Sequence, residues 1–580
     1  MQAPPRQSAA TVESMLRLAL AQLDLTVGAL AENRKRIADS CADAARAGAD
    51  LVLAPELGIS GYPPEDLLLR PSFLRACQAE AELLAAEVEL PLIVGCPWLD
   101  VDRVRNSALV LAGGEIVARY DKRELPNYGV FDEERTFSPG RGSLHVETPE
   151  GALSLTVCED VWLPDAVGEA AALGAACVLN ISASPYHLGK GQAREEMLAT
   201  RARDGLCAVA YVNLVGGQDE LVFDGRSAVF GPDGTVLARA ASFVEELLVC
   251  DLDLDASVHE RLRDSRLRRG RRHRVHPPVT IELPLGGERP AVAPSVALPP
   301  PSGEAAELWA ALRVGVIDYV RKNGFERVLL GLSGGIDSAL VAALAADALG
   351  ADRVEAVSMP TRYNSEGTRS DARLVAERLG IAFREVAIED LRLSFEGALP
   401  GTSGLAAENL QARIRGVLLM TLSNQHGWLV LTTGNKSETA VGYSTLYGDS
   451  AGGFAPIKDV PKTLVFALAR YINEQAGREL IPASIIDRPP SAELRDGQRD
   501  DQSLPPYEQL DPMIEAYVED DLSPEEIARR GLATLEVARR VARLVDLAEY
   551  KRRQAPPGIK VHTKAFGRDR RLPITNRFGR

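Results

Sequence analysis

The sequence predicts an α/β fold class in two domains, the second built on a doubly wound parallel sheet. Three observations carry that prediction. Short apolar runs alternate with segments of helical period along the chain. The stretch His276–Pro301 holds eight prolines and no helical period, and reads as an extended linker between two such alternations. All seven cysteines, at 41, 77, 96, 158, 177, 207 and 250, precede that linker, which marks the halves as different in origin. The expected division is a first domain over 1–275, a linker over 276–303 and a second domain over 304–580.

Before the linker, "LRLALAQLDL", "DLVLAPE", "LPLIVGCP", "SALVLA", "LSLTVCED", "ACVLNISAS" and "CAVAYVNLV" are apolar enough throughout to be buried strands. "NRKRIADSCADAARAG" and "REEMLATRARDG" have the spacing of amphipathic helices. After the linker the order is a helix over 304–323, strand "RVLLGLSGG", helix "SALVAALAADALG" and strand "VEAVSMP". Helix "RSDARLVAERLG", strand "AFREVAI", helix "ENLQARIRGVLLMTLSNQHG" and strand "WLVLTTGN" follow. Ligands of such a sheet sit beyond the C-terminal ends of its strands.

At 580 residues the chain is too long for one core, and its 46% hydrophobic and 25% charged content is that of ordinary globular proteins. No run of 18 apolar residues occurs, so no membrane span is expected. The start of the chain has no basic stretch followed by an apolar block and a small-residue cleavage site, so the cytoplasm is the expected compartment. An odd number of cysteines with no CxxC pair fits a reducing compartment and gives neither a zinc site nor a redox motif. A net charge of −15 argues against nucleic acid as a partner. The basic run Arg261–Arg274 reads as a solvated boundary or an intersubunit charge patch.

"LLGLSGGIDSALVAAL" is a strand, a Gly-Gly loop and a helix. Two glycines let the backbone approach a phosphate closely, and the helix N-terminus offers free N–H groups and a positive dipole end. Ser333 and Ser338 add hydroxyl donors, and Asp337 is a hard oxygen ligand suited to Mg²⁺. The motif lacks the Gly-Lys-Ser/Thr ending of a Walker A loop.

SGGIDS resembles the pyrophosphate loop of the ATP pyrophosphatase family, whose members adenylate an acyl oxygen with ATP and let a nucleophile, often ammonia, displace AMP. "ENLQARIRG", "LTTGNKSETAVGYSTLYGD", "YKRRQAPPGIK" and "AFGRDRRLPITNRF" resemble the NAD synthetases, over almost all of 304–580. That resemblance implies an adenine nucleotide α-hydrolase-like sheet, Mg²⁺ as cofactor, and ATP and deamido-NAD⁺ as substrates. By position, Gly331, Leu332, Ser333, Gly334, Gly335, Ile336, Asp337 and Ser338 would hold the ATP phosphates, with Thr433 and Lys462 completing the ATP contacts. Glu438 would join Asp337 on the metal, and Asn409, Glu438 and Lys551 would contact deamido-NAD⁺. A plain surface lysine at a helix start is the lesser reading of Lys462. The loop "SAGGFAPIKDVPK" lacks an acid that some ammonia-dependent relatives carry before the proline.

Ammonia is mostly protonated at neutral pH, so such a synthetase benefits from a local source. The first domain is similar to the nitrilase, or carbon–nitrogen hydrolase, family over roughly 15–275, which implies an αββα sandwich. "LVLAPELGISGYPPEDL" supplies Glu56, "ARYDKRELPNYGVFDEERTF" supplies Lys122 and "LTVCEDVW" supplies Cys158. The resemblance implies Glu56 as general base, Cys158 as nucleophile toward the side-chain amide of L-glutamine, and Lys122 as the charge that stabilises the oxyanion. Glu133 matches an additional acid that positions Lys122 or the amide. Tyr128, Ser184 and Lys190 match glutamine-binding positions, Lys190 as a charge partner for the α-carboxylate. Glu159 and Asp160 read as turn and helix-start residues, and the other six cysteines as core thiols.

Together the two resemblances imply a glutamine-fed amidation of adenylated deamido-NAD⁺ by a cytoplasmic homo-oligomer with an even number of subunits, acting on small molecules without membrane or nucleic acid. Amination of a different carboxylate, and a nucleotide-binding protein without activity, are the other readings. The second conflicts with an intact set of Glu56, Lys122, Cys158, Asp337 and Glu438.

Overall fold

The computed structural model describes residues 15–264, 278–283, 285 and 303–578. In the first domain the strands are β1 (Met15–Gln22), β2 (Leu51–Leu53), β3 (Leu92–Asp100), β4 (Arg103–Ala112), β5 (Glu115–Asp121), β6 (Leu144–Thr148), β7 (Gly151–Val157) and β8 (Cys177–Ser182). They continue with β9 (Ala208–Asn213), β10 (Val215–Gln218), β11 (Leu221–Asp224), β12 (Ala228–Phe230), β13 (Val236–Arg239), β14 (Glu246–Asp253) and β15 (Val279–Glu282). One sheet runs β14-β1-β2-β3-β4-β5 and the other β13-β12-β9-β8-β7-β6-β15, with β10-β11 a separate hairpin.

The period of two along each strand explains the layering. Leu16, Leu18 and Leu20 of β1 share one core with Leu153, Leu155 and Val157 of β7 and Leu179 and Ile181 of β8, so the sheets pack face to face. Ala19, Ala21 and Val52 point the other way, against helices Leu30–Arg46 and Pro71–Glu87. Val178, Val209 and Tyr211 point out of the second sheet against helices Pro164–Leu173 and Lys190–Gly205. The result is the expected αββα sandwich.

Two features of the linker region differ from a plain extended connection. Val279–Glu282 pairs in parallel with β6 and extends the second sheet beyond residue 275, and Leu283 and Leu285 are buried. The rest of 276–302 lies outside the described residues, as does the basic run beyond Asp264. Arg261 donates to the carbonyls of Leu206 and Gly174 and so ties helix ends together.

In the second domain β16 (Val328–Gly331), β17 (Val354–Ser358), β18 (Ala382–Glu385) and β19 (Leu429–Leu431) form a parallel sheet in the order β18-β17-β16-β19. Val328, Leu330, Val354 and Ala356 face one helical layer, while Leu329, Val357 and Val430 face the layer that contains helix Leu405–His426. The chain reverses direction across the sheet between β16 and β19, which opens a crevice at their C-terminal ends. Beyond β19, helices Tyr507–Ile514, Pro524–Arg529 and Leu535–Leu547 pack a small core around Leu510, Met513, Val541 and Val545.

The domains share buried surface. Tyr186, Val222 and Phe243 of the first join the cluster of Leu308, Leu312 and Val316 on helix Glu304–Lys322. Gly217 N–H donates to Asp318 at 2.5 Å, and Lys322 reaches Asp24 and the Gly217 carbonyl, each at 2.7 Å. Among the described residues no helix is long and apolar enough to cross a membrane.

Candidate active sites

The first site lies at the strand ends of the sandwich. Glu56 follows β2, and its backbone is pressed against β3 at Gly95, where an added Cβ would stand 2.0 Å from Leu57 N. Only glycine permits that approach, so "VGC" in β3 sets where Glu56 stands. Oε1 of Glu56 accepts hydrogen bonds from Asn106 Nδ2 at 2.7 Å and Lys122 Nζ at 2.8 Å, and Oε2 accepts from Ala183 N at 2.8 Å. Lys122 follows β5, and its ammonium also lies 2.8 Å from Glu133. The Tyr62 hydroxyl donates to Glu133 at 3.0 Å. The side chains of Lys122 and Glu56 are wholly buried.

Cys158 follows β7 as the first residue of a tight turn, with φ of +43° and 4% exposure. A left-handed conformation at a cysteine is strained, and such strain aims a nucleophile out of the strand line. Burial and the Glu56 carboxylate push its thiol up, against the pull of Lys122. A thiol held protonated needs a base to act as a nucleophile. Glu133 is pushed up to about 7 by burial, with Lys122 pulling down and Glu56 pushing up.

The other expected residues gather at the rim of this site. Tyr128, exposed, donates to Glu159 at 2.9 Å and packs edge-on against Phe131. Lys190 Nζ stands 5.8 Å over the Phe131 ring and donates to the Pro185 carbonyl at 2.8 Å. Burial and the neighbouring Arg194 bring Lys190 down to about 8. Ser184 is buried beside Ala183, its N–H donating to Asn213 at 2.9 Å. The other six cysteines are free and buried, as expected.

The second site is a cavity of about 270 Å³ at the switch point, walled by Gly331, Leu332, Ser333, Gly334, Gly335, Ile336, Asp337, Thr433, Glu438 and Lys462. Gly334 has φ of +83°, and a Cβ there would stand 2.1 Å from the Thr368 carbonyl oxygen. Any side chain at Gly334 would therefore open the loop. The serines knit it shut: Ser338 Oγ donates to the Gly335 carbonyl at 3.0 Å and accepts from Ser333 N at 3.2 Å. Ser338 thus shapes the loop and lies outside the cavity wall.

Lys462 is 2% exposed, not a surface lysine: its ammonium lies 2.5 Å from Asp337 and 3.1 Å from Glu438. Asn435 donates to Asp337 at 2.8 Å and accepts from Glu438 N at 2.9 Å, which caps helix Lys436–Val441 and aligns the two acids. Burial pushes Glu438 up to about 7, Lys462 opposing and Asp337 adding to the shift. Asn409 and Lys551 are not brought to this wall. Asn409 accepts from the Thr445 hydroxyl at 2.7 Å, and Lys551 donates to the Gly442 and Ser444 carbonyls at 2.7 and 2.6 Å. Both hold the loop from which Gly448 and Asp449 reach the cavity.

The sequence does not single out Tyr62, Asn106 and Phe131 in the first site or Arg415, Tyr443 and Asp500 in the second, and Asp160, expected as a helix-start residue, is instead a buried acceptor. Asn106 stands just before the apolar run of β4, between Arg105 and Ser107, and is 1% exposed. Arg415, whose pKa burial brings down to about 10, sat unremarked within "ENLQARIRG".

Residues 17–259 match the Carbon-nitrogen hydrolase family and residues 308–555 the NAD synthase family. The glutamine-dependent NAD(+) synthetase of Aquifex aeolicus is 45% identical over 583 residues, covering 97% of this chain and 100% of its own length. That of Thermotoga maritima is 46% identical over 572 residues, covering 97% and 99%. Among solved structures, the glutamine-dependent NAD⁺ synthetase of Acinetobacter baumannii in complex with ADP is similar with a TM-score of 0.74 and 39% identity. It covers 97% of this chain and 99% of that one. With both halves matched in order and the full length covered, the chain belongs to the glutamine-dependent NAD(+) synthetase family.

Proposed function

We propose that the first domain hydrolyses L-glutamine to glutamate and ammonia, and that the second uses the ammonia to convert deamido-NAD⁺ to NAD⁺ at the expense of ATP, releasing AMP and diphosphate. The observation that carries this reading is the pairing in one chain of a buried Cys158–Glu56–Lys122 set with a glycine loop whose cavity holds Asp337, Glu438 and Lys462.

Glu56 takes the proton of Cys158, and the sulfur attacks the glutamine amide carbon. Lys122 faces the oxyanion, Glu56 passes the proton to the amide nitrogen, which leaves as ammonia, and Glu56 then takes a proton from the water that hydrolyses the thioester and returns it to the departing thiol. Glu133 holds Lys122 in place. Lys190 and Tyr128 hold the amino-acid end of glutamine, with Ser184 beside them. In the second site the loop Gly331–Ser338 holds ATP phosphates together with Thr433, and Lys462 offsets charge that develops at phosphorus. Asn409 and Lys551 act on deamido-NAD⁺ through the loop that they brace, and Glu438 faces it directly.

Mg²⁺ fits this second site. Asp337 and Glu438 present two hard carboxylates to one lysine, which leaves negative charge uncompensated beside the phosphate loop. Ions of this kind bind through one or two carboxylates plus substrate phosphates. When bound, the ion would neutralise phosphate charge.

We extend the first domain, expected over 1–275, through β15 to Leu285, keep the second at 304–580, and read the enzyme as a cytoplasmic homo-oligomer with an even number of subunits and an internal route for ammonia. The two domains pack on a shared core beneath helix Glu304–Lys322, which holds the two sites in one body. The test is direct: the purified chain with ATP, Mg²⁺, deamido-NAD⁺ and glutamine yields NAD⁺, AMP, diphosphate and glutamate. Absence of NAD⁺, with another carboxylate aminated instead, would overturn the assignment.

A further inference from the structure

Cys158 and Lys122 must face each other, yet they belong to different sheets. Cys158 follows β7 in the seven-stranded sheet, and Lys122 follows β5 at the edge of the six-stranded one. No strand ladder joins β5 to β7. One side chain spans the gap. Asp160 is wholly buried. Its Oδ1 accepts from Arg123 N at 3.0 Å and Glu124 N at 2.8 Å. Its Oδ2 accepts from Val157 N at 2.9 Å and the Tyr120 hydroxyl at 2.8 Å. Three of the four donors are thus on residues adjacent to or near Lys122 on both sides, and the fourth immediately precedes Cys158.

We propose that Asp160 is a positioning residue of the glutaminase: its carboxylate fixes the Cys158 turn against the Lys122 strand end, and so sets thiol and ammonium at reacting geometry. The inference deepens the function proposed above and rests on it. All four partners donate, three of them backbone or hydroxyl groups in the Lys122 segment, so Asp160 must accept on both oxygens. Only a carboxylate does that. An amide at this position turns an N–H₂ group toward either two backbone N–H groups or one backbone N–H and a hydroxyl. A buried donor facing donors displaces one segment from the other. The same bonds hold the turn in which Cys158 keeps its positive φ, a strained conformation that persists only where the surroundings enforce it.

The test is Asp160→Asn, assayed with glutamine and with ammonium as nitrogen source. A displacement of about 1 Å at reacting groups lowers rate about 10²-fold, and that loss is expected in the glutamine-supported kcat, with ammonium-supported synthesis unchanged. Alkylation of Cys158 by iodoacetamide, counted against a Cys158→Ala background, is expected to reach half its maximal rate at higher pH than in the unmodified chain, because the thiolate loses the ammonium. An unchanged glutamine-supported kcat with an unchanged alkylation profile would overturn the proposal. So would equal loss with both nitrogen sources, since that marks a residue of the general fold. If Asp160→Asn does not fold, Tyr120→Phe removes one donor only. It is then expected to lower glutamine-supported kcat several-fold with the same shift in alkylation, and no change in either would overturn the proposal. Failure of the underlying function is distinguishable, because the unmodified chain would then make no NAD⁺ from glutamine in the same assay.

Discussion

Each site sets one buried lysine between two carboxylates, but the surroundings differ. Around Lys122, the Glu56 carboxylate is also bonded to Asn106 and Ala183 N–H, Glu133 is bonded to Tyr62, and the lysine and Glu56 side chains are closed to solvent. Around Lys462, the Asp337 and Glu438 side chains remain 18% and 19% exposed and line an open cavity. The closed arrangement suits covalent chemistry on a small amide, where every charge must be fixed before the thiol reacts. The open one leaves both carboxylates facing a cavity in which a cation could lie between them and phosphates. The difference shows that one charge motif does two jobs, depending on how many of its oxygens are already bonded.

The comparison predicts unequal consequences for the two lysines. Lys462→Met leaves two half-buried carboxylates without their cation, which costs about 1–3 kcal/mol of stability. It should also lower NAD⁺ synthesis about 10²–10³-fold with either nitrogen source, measured against thermal unfolding of the same preparation. Lys122→Met should abolish only the glutamine-supported rate. Retention of ammonium-supported synthesis by Lys462→Met would place the lysine outside the second site.

Glu133 gives the next largest effect. Its carboxyl is pushed up to about 7, so it is ionised and paired with Lys122 above that pH and neutral below it. The glutaminase rate should therefore fall as pH drops through about 7. Glu133→Gln should lower kcat about 10²-fold and remove that acidic limb. A limb that survives the substitution belongs to another group.

Lys190 should act on binding alone. With its pKa brought down to about 8, it loses charge above that value, and KM for glutamine should rise as pH increases through it. Lys190→Met should raise KM about tenfold, the equivalent of one charge-assisted hydrogen bond, without changing ammonium-supported synthesis. A fall in kcat at constant KM would move Lys190 from binding to chemistry.

The smallest effect is expected where the domains meet at the surface. Arg568 pairs with Glu65 in an exposed contact, and Arg568→Ala should cost under about 1 kcal/mol in thermal unfolding. A larger loss would mean that such contacts, more than the core beneath helix Glu304–Lys322, hold the domains together.

Much of this was legible in the sequence. The apolar runs located β1–β4, β7–β9, β16, β17 and β19, because strands buried on both faces carry unbroken apolar signal, and the strand–helix alternation located the largely exposed edge strand β18. Cys158, Glu56 and Lys122 were legible through their motifs, and the structure brings the three segments to one buried site. Asp160 was not, because an acid after a tight turn has the signature of a helix start, and three of its four partners lie 36 to 40 residues away. The burial of Lys462 was equally hidden, since its partner Asp337 is 125 residues distant. Sequence spacing reports local structure, and charges paired across sheets have no local trace.

The claim that two separate sites share one nitrogen atom is tested most directly with Cys158→Ala, assayed side by side with glutamine and with ammonium. The account predicts no NAD⁺ from glutamine and undiminished NAD⁺ from ammonium. Equal loss with both sources, or synthesis from glutamine that survives the substitution, would contradict it.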